Sequence, residues 1–265
     1  MSMSEFDPIA LHRTNARRLH AGDVVVASYP GAGATLLGNL LLELGVNYVD
    51  LYTDVIDARR CVSIAPERAE YRRRLPPRAA GPTAGRLFVK SHLGPNEFPS
   101  DIRNALLLVR DPRDSLYSYH RWRLAFSEEG EDRPFDEFME GGVGGKATAA
   151  QEWANFYETW LGAREHGWKL NVVRFEDLKS SAVATLADVT AELDINADAA
   201  ALRQAVENST FEAMRRHEEA AIGDAHRIMR RGSPGEWHEW FTSRLAVPFA
   251  DSIVIEISRR LGYKL

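Results

Sequence analysis

A turn almost free of side chains lies between an apolar run and a run of helix-forming residues near the start of the sequence. The apolar run is Val24–Ser28, the turn YPGAGAT spans residues 29–35, and helix formers extend from Leu36 to Leu44. Glycine and alanine leave main-chain N–H groups accessible at the start of a helix, where the helix dipole also favours negative charge. The turn therefore suits a phosphate or sulfate cradle, although a plain connector between a strand and a helix would have the same features.

The turn differs from the phosphate loop of common nucleotide hydrolases. That loop carries a lysine and then serine or threonine directly after its second glycine, in the pattern G-x-x-x-x-G-K-[ST]. Here Gly33 is followed by Ala34 and Thr35, with no lysine. A magnesium-dependent ATPase or GTPase of the standard kind is therefore disfavoured.

Basic side chains follow two further apolar runs. Lys90 and His92 follow the predicted strand Arg86–Val89, and Arg110 ends the predicted strand Ala105–Val109. Ligands of open parallel sheets bind at the carboxyl ends of the strands. We expect these groups to meet the glycine-rich turn there, although Arg110 taken alone would equally suit a surface ion pair.

A helix is predicted directly after Arg110. Asp111 is a good N-cap and Pro112 suits the first helical position, so the helix should run from Pro112 to about Ala125. Ser118 lies on the same face as Asp111, which directs its hydroxyl toward whatever Arg110 holds.

The remaining segments alternate between helix and strand. A helix over Ala147–Glu165 carries an aromatic stripe at i, i+3, i+4 and i+7, which is more typical of core than of a site. The other predicted elements are a lead-in helix or loose arm over residues 1–21, a strand over Trp168–Phe175, helices over Ser181–Leu193 and Ala197–Asn208, a helix beginning near Ser209, and a basic loop over Arg227–Phe241. This order predicts one α/β domain over residues 1–265, with three layers and a central, mostly parallel sheet flanked by helices.

Composition narrows the possible partners. The chain has 265 residues, 45% of them hydrophobic, and a net charge of −5. The net charge of the whole chain does not indicate a nucleic acid or a membrane surface as partner. No metal-binding motif, signal peptide or membrane span is predicted. The single cysteine, Cys61, excludes an intrachain disulfide framework and fits a reducing cytoplasm.

In their order along nearly the whole chain, these blocks resemble the soluble sulfotransferases that use 3'-phosphoadenosine 5'-phosphosulfate (PAPS). Residues 29–35 resemble the family's 5'-phosphosulfate loop, Y-P-K-[SA]-G-T-T-W, and residues 90–93 resemble its K-[TS]-H-L block. The spacing of Arg110 and Ser118 resembles the 3'-phosphate site, and residues 230–242 resemble R-K-G-x-x-G-x-W…F-T. Weaker similarities are Phe175-Glu176-Asp177, Ser209-Thr210-Phe211 and the spacing of Trp153 and Trp160.

The resemblance implies a P-loop-like sulfotransferase fold with PAPS as cofactor, no metal, and a small-molecule hydroxyl as acceptor. The implied cofactor-binding residues are Gly31, Ala32, Gly33, Ala34, Thr35, Leu36, Arg110, Ser118, Phe175, Ser209, Thr210, Phe211, Met229, Arg230, Arg231 and Gly232. It also implies in-line displacement at sulfur, in which His92 takes the proton of the acceptor. Segments 54–85, which is rich in arginine and proline, and 127–146, a predicted mobile excursion with a short helix, would enclose the acceptor. The arginines of the first segment suit either a solvated surface or a clamp on an acidic substrate.

Two family positions are changed in this sequence. The lysine that bonds the leaving phosphate oxygen aligns with Gly31, and the tryptophan after the loop aligns with Leu36. Loss of such a hydrogen-bond donor costs on the order of ~3 kcal/mol of transition-state stabilisation if nothing replaces it. Strand alternation places Lys90 on the side of His92, so Lys90, or an arginine of residues 59–78, is expected to compensate.

Three functions remain open at this stage. The favoured one is an active sulfotransferase. The second is a non-catalytic or redirected protein that retains the site for PAPS or for its desulfated product, 3'-phosphoadenosine 5'-phosphate (PAP). The third is a small-molecule kinase on a related P-loop fold. The family's C-terminal dimer segment K-x-x-x-T-V-x-x-x-E lacks its lysine, valine and glutamate in residues 238–247. The chain is therefore expected to be a monomer, or a dimer that does not use this segment.

Overall fold

The computed structural model of the protein describes residues 7–65, 85–126, 133–222 and 231–265. Its centre is a parallel sheet in the order β2-β5-β1-β6-β7. The strands are β1 Val24–Ser28, β2 Tyr48–Asp50, β3 Val55–Ile56, β4 Val62–Ser63, β5 Phe88–Ser91, β6 Asn104–Val109 and β7 Lys169–Arg174, and β3 pairs with β4 in a separate antiparallel ribbon. The helices are α1 Pro8–Ala16, α2 Ala34–Glu43, α3 Pro112–Phe126, α4 Phe135–Gly141, α5 Ala149–Gly162, α6 Phe175–Ser180, α7 Ala182–Glu192, α8 Ala199–Asn208, α9 Phe211–Ile222 and α10 Ser252–Arg260.

The sheet is covered on both faces, which confirms the three-layer α/β fold. Val25 and Ala27 of β1 face a core that includes the aromatic residues of α5 and the apolar face of α10. Val24 and Val26 face a second core, built with α2, α7 and α8. Strands buried on both faces read as continuous apolar runs, which explains why β1 and β6 were visible in the sequence.

Strand register brings the predicted functional residues to one edge. Ala27 of β1 pairs with Ser91 of β5, and Ser28 pairs with Leu108 of β6. The three strands therefore end side by side, and the segments that begin at Tyr29 and His92 leave the same edge. The prediction that these segments meet at the carboxyl ends of parallel strands is confirmed.

Strand β2 was not expected. The sequence analysis assigns no element to residues 48–50, which pair with β5 through Tyr48 and Phe88. A three-residue strand is too short to show the period-2 pattern that identifies longer strands. Strand β5 is also displaced, since it covers Phe88–Ser91 where Arg86–Val89 was predicted.

Of the two alternatives for residues 1–21, the structure shows a docked helix. Asp7 caps α1 by accepting hydrogen bonds from Ile9 N and Ala10 N. Asn15 is fully buried and its amide bridges Leu51 O, Asp54 O and Ile56 N. This buried side chain ties α1 to the segment that follows β2, so a loose arm is wrong for residues 8–16.

Three of the four aromatic residues in the stripe of α5 are core, as predicted, whereas Phe156 is only partly buried. Trp153, Tyr157 and Trp160 are fully buried. Two of them also hold the sheet edge, since Tyr157 Oη donates to Leu108 O at 2.9 Å and accepts from Tyr29 N, and Trp160 Nε1 donates to Leu93 O. The stripe therefore positions the segments that leave β1 and β5.

The described part of the arginine-rich segment does not form a clamp. Both terminal nitrogens of Arg60 bind the buried carboxylate of Asp23, at 2.8 and 2.9 Å, which makes this arginine structural. Arg59 is exposed. Arg68, Arg72, Arg73, Arg74 and Arg78 lie outside the described residues.

Segment 133–146 is better anchored than a mobile excursion. Its predicted short helix is present as α4, but Phe138 and Met139 are buried in the first core. The Glu152 carboxylate accepts from Val143 N and Gly144 N, which pins the following turn to α5. Residues 127–132 of the predicted excursion lie outside the described ranges.

No helix in the described ranges is both long enough and apolar enough to cross a membrane.

Candidate active site

The glycine-rich turn owes its shape to close packing around both glycines. Gly31 has φ +82°, and a Cβ added there would lie 2.1 Å from Ser115 O and 2.9 Å from Tyr119 N of α3. Gly33 has φ +101°, and a Cβ added there would lie 2.4 Å from the Phe175 ring. Glycine is required at both positions, since other residues are strained at positive φ and neither site has room for a side chain. The lysine expected at position 31 is therefore sterically incompatible with this turn.

The turn presents unsatisfied hydrogen-bond donors at the start of α2. The main-chain N–H groups of Gly33, Ala34 and Thr35 have no acceptor within the described residues. Ala32 N is used inside the turn, where it donates to Tyr29 O, and the Ala32 side chain is buried. The donors at 33–35 fit the predicted anion cradle, because free N–H groups at a helix N-terminus attract anions.

His92 leaves the end of β5 in a defined tautomer. Its Nδ1 lies 2.7 Å from the Ser28 carbonyl oxygen, which can only accept, so Nδ1 carries the proton and Nε2 keeps its lone pair. Burial and the positive charge of Lys90 lower the His92 pKa to about 4, against the opposing effect of the Ser28 carbonyl. The imidazole is therefore neutral at pH 7 and can accept a proton at Nε2.

Lys90 is held by an acidic residue that sequence reasoning missed. Its Nζ lies 2.7 Å from Asp50 Oδ2 at the end of β2. Three N–H donors belong to an ammonium group, so this ion pair leaves donors for a second anion. Asp50 became recognisable only when β2 was seen to pair with β5.

Arg110 is buried and ties two loops together. Its guanidinium donates to Gly31 O at 3.2 Å and to Ser233 O at 3.1 Å, and it lies 4.4 Å from the centre of the Phe175 ring. Asp114, one turn further along α3, lies 3.7 Å from it. The sequence left open a surface ion pair for Arg110, and its 5% exposure excludes that reading.

Asp114 also holds the C-terminal segment beside the turn. Its carboxylate accepts from Gly235 N at 2.6 Å and from Trp237 N at 2.9 Å. Burial raises its pKa, while Arg110 and these two N–H groups act in the opposite direction. The neighbouring Arg113 stacks on Trp237 at 3.5 Å. These contacts place Arg231 and Gly232 at the mouth of the site.

Residues 263–264 support the segment that follows β6 through Glu176 and Arg113. Glu176 Oε1 accepts from Asp111 N, and Glu176 Oε2 accepts from Tyr263 Oη at 2.8 Å. Arg113 donates to Lys264 O and binds Asp111 through two nitrogens. Tyr263 and Lys264, which follow α10, thus fix the start of α3.

A cavity of about 310 Å³ gathers most of the predicted site residues. These are Gly31, Gly33, Ala34, Thr35, Leu36, Lys90, His92, Arg110, Ser118, Phe175, Phe211, Arg231 and Gly232. Its wall also holds two cations that were not predicted, Arg121 and Lys179, and one acid, Glu236. Arg121 lies three residues after Ser118 on α3, so the helical spacing of i and i+3 was the available sequence indication.

A hollow of about 380 Å³ adjoins this first cavity and shares Phe211, Arg231 and Gly232 with it. Ser209 and Thr210 line the hollow and not the first cavity. Met229 and Arg230 lie outside the described residues.

A second cavity, of about 470 Å³, opens on the other side of His92. Pro30, His92 and Tyr119 line both cavities. The rest of the second cavity combines apolar and polar groups, contributed by Tyr29, Gly94, Val143, Glu152, Asn155, Phe156 and Thr159. The predicted acceptor-side segment 127–146 contributes Val143, whereas none of residues 54–65 lines either cavity.

Comparison with known proteins identifies relatives of this architecture. Residues 21–254 match the family described as "Sulfotransferase domain". Mouse sulfotransferase 2A6 is 28% identical over 174 residues, which cover 61% of this chain and 59% of that protein. Mouse sulfotransferase 1B1 is 25% identical over 244 residues, or 83% and 78% of the two chains. The chain thus matches less than two thirds of the first relative's length.

Solved structures give the same result for the fold. Mouse sulfotransferase SULT7A1 complexed with PAP has a TM-score of 0.62 at 18% identity, covering 98% of this chain and 93% of that chain. Retinol dehydratase in a complex with retinol and PAP has a TM-score of 0.60 at 20% identity, covering 97% and 87%. Since the family match extends over most of the sequence and the fold agrees, this chain belongs to the sulfotransferase domain family.

Proposed function

We propose that the protein moves the sulfuryl group of PAPS to a hydroxyl of a small-molecule acceptor, with His92 as the general base. The observation that carries this proposal is that His92 lines both the first and the second cavity. The first cavity has the cationic wall and free N–H groups that a sulfated, 3'-phosphorylated nucleotide needs. The second has the mixed apolar and polar lining that a small organic acceptor needs.

The donor end of the reaction is assigned to the turn and Lys90. The N–H groups of Gly33, Ala34 and Thr35 would hold the 5'-phosphosulfate, and Lys90 would neutralise charge that develops on the leaving phosphate oxygen. Lys90 lines the first cavity together with His92, as strand alternation predicted. The compensation proposed for the missing lysine therefore rests on a residue of the same wall.

The 3'-phosphate is assigned to Ser118, Arg110 and Arg231. Arg110 already binds two carbonyl oxygens, and its guanidinium has five N–H donors in total. Arg231 is half exposed and bound to Glu239, an ion pair that is weak in water and easily exchanged for a phosphate. The family resemblance implies adenine contacts for Phe175 and Phe211, and both residues line the first cavity.

The tautomer of His92 determines which atom can receive the proton of the acceptor hydroxyl. The acceptor hydroxyl would give its proton to Nε2 as its oxygen attacks sulfur, and the bond between sulfur and the 5'-phosphate oxygen would break, with PAP as the leaving group. PAPS supplies an activated sulfuryl group, and the protein supplies position, charge and the base. The Ser28 carbonyl stabilises the imidazolium that forms, because it accepts from Nδ1–H.

A second candidate is a binding protein for PAP without transfer activity. The observation that favours it is the steric exclusion of any side chain at Gly31, which makes the missing lysine a built-in feature of the turn.

Two measurements separate these functions. In thermal shift assays we expect PAP to stabilise the protein more than ADP does, and Arg110→Ala to remove most of that preference; equal stabilisation by the two nucleotides would refute the cofactor assignment. Conversion of PAPS to PAP with 2-naphthol as acceptor probe then tests transfer. His92→Ala should abolish this turnover without loss of PAP binding, whereas Lys90→Ala should reduce both. PAP binding without transfer to any of a panel of phenols and aliphatic alcohols would favour the binding protein.

A further inference from the structure

Tyr52 lies between two imidazole rings at the end of β2. Its ring centre is 5.6 Å from that of His92, with 26° between the ring planes, and 4.9 Å from that of His12, with 41° between the planes. His12 belongs to α1 and His92 follows β5. Three separate elements thus meet in one aromatic stack that ends at the proposed base.

Hydrogen bonds hold the same stack in register. Tyr52 Oη accepts from His92 N at 2.9 Å. His12 Nε2 lies 2.8 Å from Ser91 Oγ, and that hydroxyl accepts from Leu93 N at 3.0 Å. Each residue from Ser91 to Leu93 is therefore bonded directly or indirectly to Tyr52 or His12.

His12, the residue of the stack farthest from the cavities, is buried and uncharged. His12 is fully buried, and burial lowers its pKa to about 4, so it remains an uncharged ring at neutral pH. Tyr52 N donates to Asp50 Oδ1 at 3.1 Å, and Asp50 Oδ2 binds Lys90. The end of β2 thus supports both residues that are proposed to act on the reacting groups.

We propose that Tyr52, backed by His12, is a positioning residue that holds the His92 imidazole in line with the acceptor hydroxyl. This inference rests on the proposed role of His92, but it concerns residues that do not touch the reacting atoms. Neither Tyr52 nor His12 lines either of the two cavities. Their effect must therefore pass through the orientation and solvent exposure of His92.

The first test needs no acceptor. Histidine side chains labelled with ¹⁵N are titrated by NMR, and His92 is assigned from the signal lost in His92→Ala. In Tyr52→Leu the titration midpoint of His92 should rise by at least one pH unit, because water reaches the ring. In Tyr52→Phe, which keeps the ring and loses the oxygen, the midpoint should move less. Exposed His20 and His166 are internal controls and should not shift.

The second test is a double-mutant cycle on sulfuryl transfer to 2-naphthol. Tyr52→Leu should lower kcat about 10- to 100-fold with little change in KM for PAPS, the scale expected when a catalytic group is misplaced. His12→Phe, which keeps a ring and loses the bond to Ser91, should have a smaller effect in the same direction. In a Tyr52→Leu background, His12→Phe should cause little further loss, since His12 supports His92 through Tyr52.

The outcomes separate the two proposals. An unchanged His92 midpoint in folded Tyr52→Leu, or additive losses in the cycle, would overturn the positioning role. Full activity of His92→Ala would overturn the catalytic role of His92, whereas the NMR result would still report whether Tyr52 holds the ring.

Discussion

Gly31→Ala should destabilise the protein far more than an ordinary exposed substitution. The positive φ costs about 1–2 kcal/mol for any residue with a Cβ. The added Cβ would lie 2.1 Å from Ser115 O, and this backbone atom of α3 cannot rotate away. Overpacking of this kind costs about 1–3 kcal/mol. The expected total is therefore about 2–5 kcal/mol, or a fall in Tm of roughly 4–20 °C for a chain of this size.

Gly145→Ala is the matched control. Gly145 also has a positive φ, +68°, but nothing lies within 4 Å of an added Cβ. This variant isolates the cost of the dihedral angle, about 1–2 kcal/mol. The difference between the two variants, measured by urea unfolding, reports the contact with α3.

Gly31→Lys then tests the functional consequence. Lysine restores the residue type that the family places at this position, yet it must displace α3 to fit. We expect this variant to be less stable than the wild type and to turn over PAPS more slowly. A Gly31→Lys variant with wild-type stability and faster transfer would refute the reasoning.

Further predictions concern charge and assembly. The kcat/KM for PAPS should stay flat as pH falls from 8 to about 5, because the pKa of His92 is lowered to about 4, and an inflection near 6.5 would contradict this. Buried His12, with its pKa lowered from 6.5 to about 4, protonates more readily in the unfolded chain, so its contribution alone should lower the free energy of unfolding by about 2 kcal/mol from pH 7 to pH 5, and the total fall should be smaller in His12→Phe. Arg121→Ala should weaken PAP binding about tenfold, since this arginine lines the cavity without an ion pair to the described residues. Arg203→Ala, which removes an exposed charge on α8, should leave the dissociation constant unchanged. Thr242→Asp should not alter the elution volume in size-exclusion chromatography, because no dimer is expected to use residues 238–247.

The sequence predicted the sheet where strands were buried on both faces. The runs of β1 and β6 carry enough consecutive apolar residues to be recognised without a partner. Strand β2 could not be recognised, because its three residues acquire a pattern only by pairing with β5. The same distinction applies to the residues of the candidate site. Those that lie in contiguous motifs, such as Lys90 and His92, were predicted from the sequence.

The supporting residues of the site could not be found from the sequence. Asp50, Tyr52 and His12 act across separations of 40 to 79 residues along the chain, with partners on β5 or directly after it. Short-range spacing carries no information about such contacts. Asp114 is a different case, since its position four residues after Arg110 is regular, but its bonds to Gly235 N and Trp237 N depend on a loop from the far end of the chain.

The anchoring of the C-terminus affects how the protein can be handled in the laboratory. Tyr263 Oη donates to Glu176, and the Lys264 carbonyl accepts from Arg113. Both of those side chains bind Asp111, which is the residue after Arg110. An affinity tag fused directly after Leu265 would pull on a hydrogen-bonded segment that adjoins the proposed nucleotide site. A purification handle should therefore be joined there through a flexible spacer, and nucleotide affinities measured after its removal are the ones that report the native site.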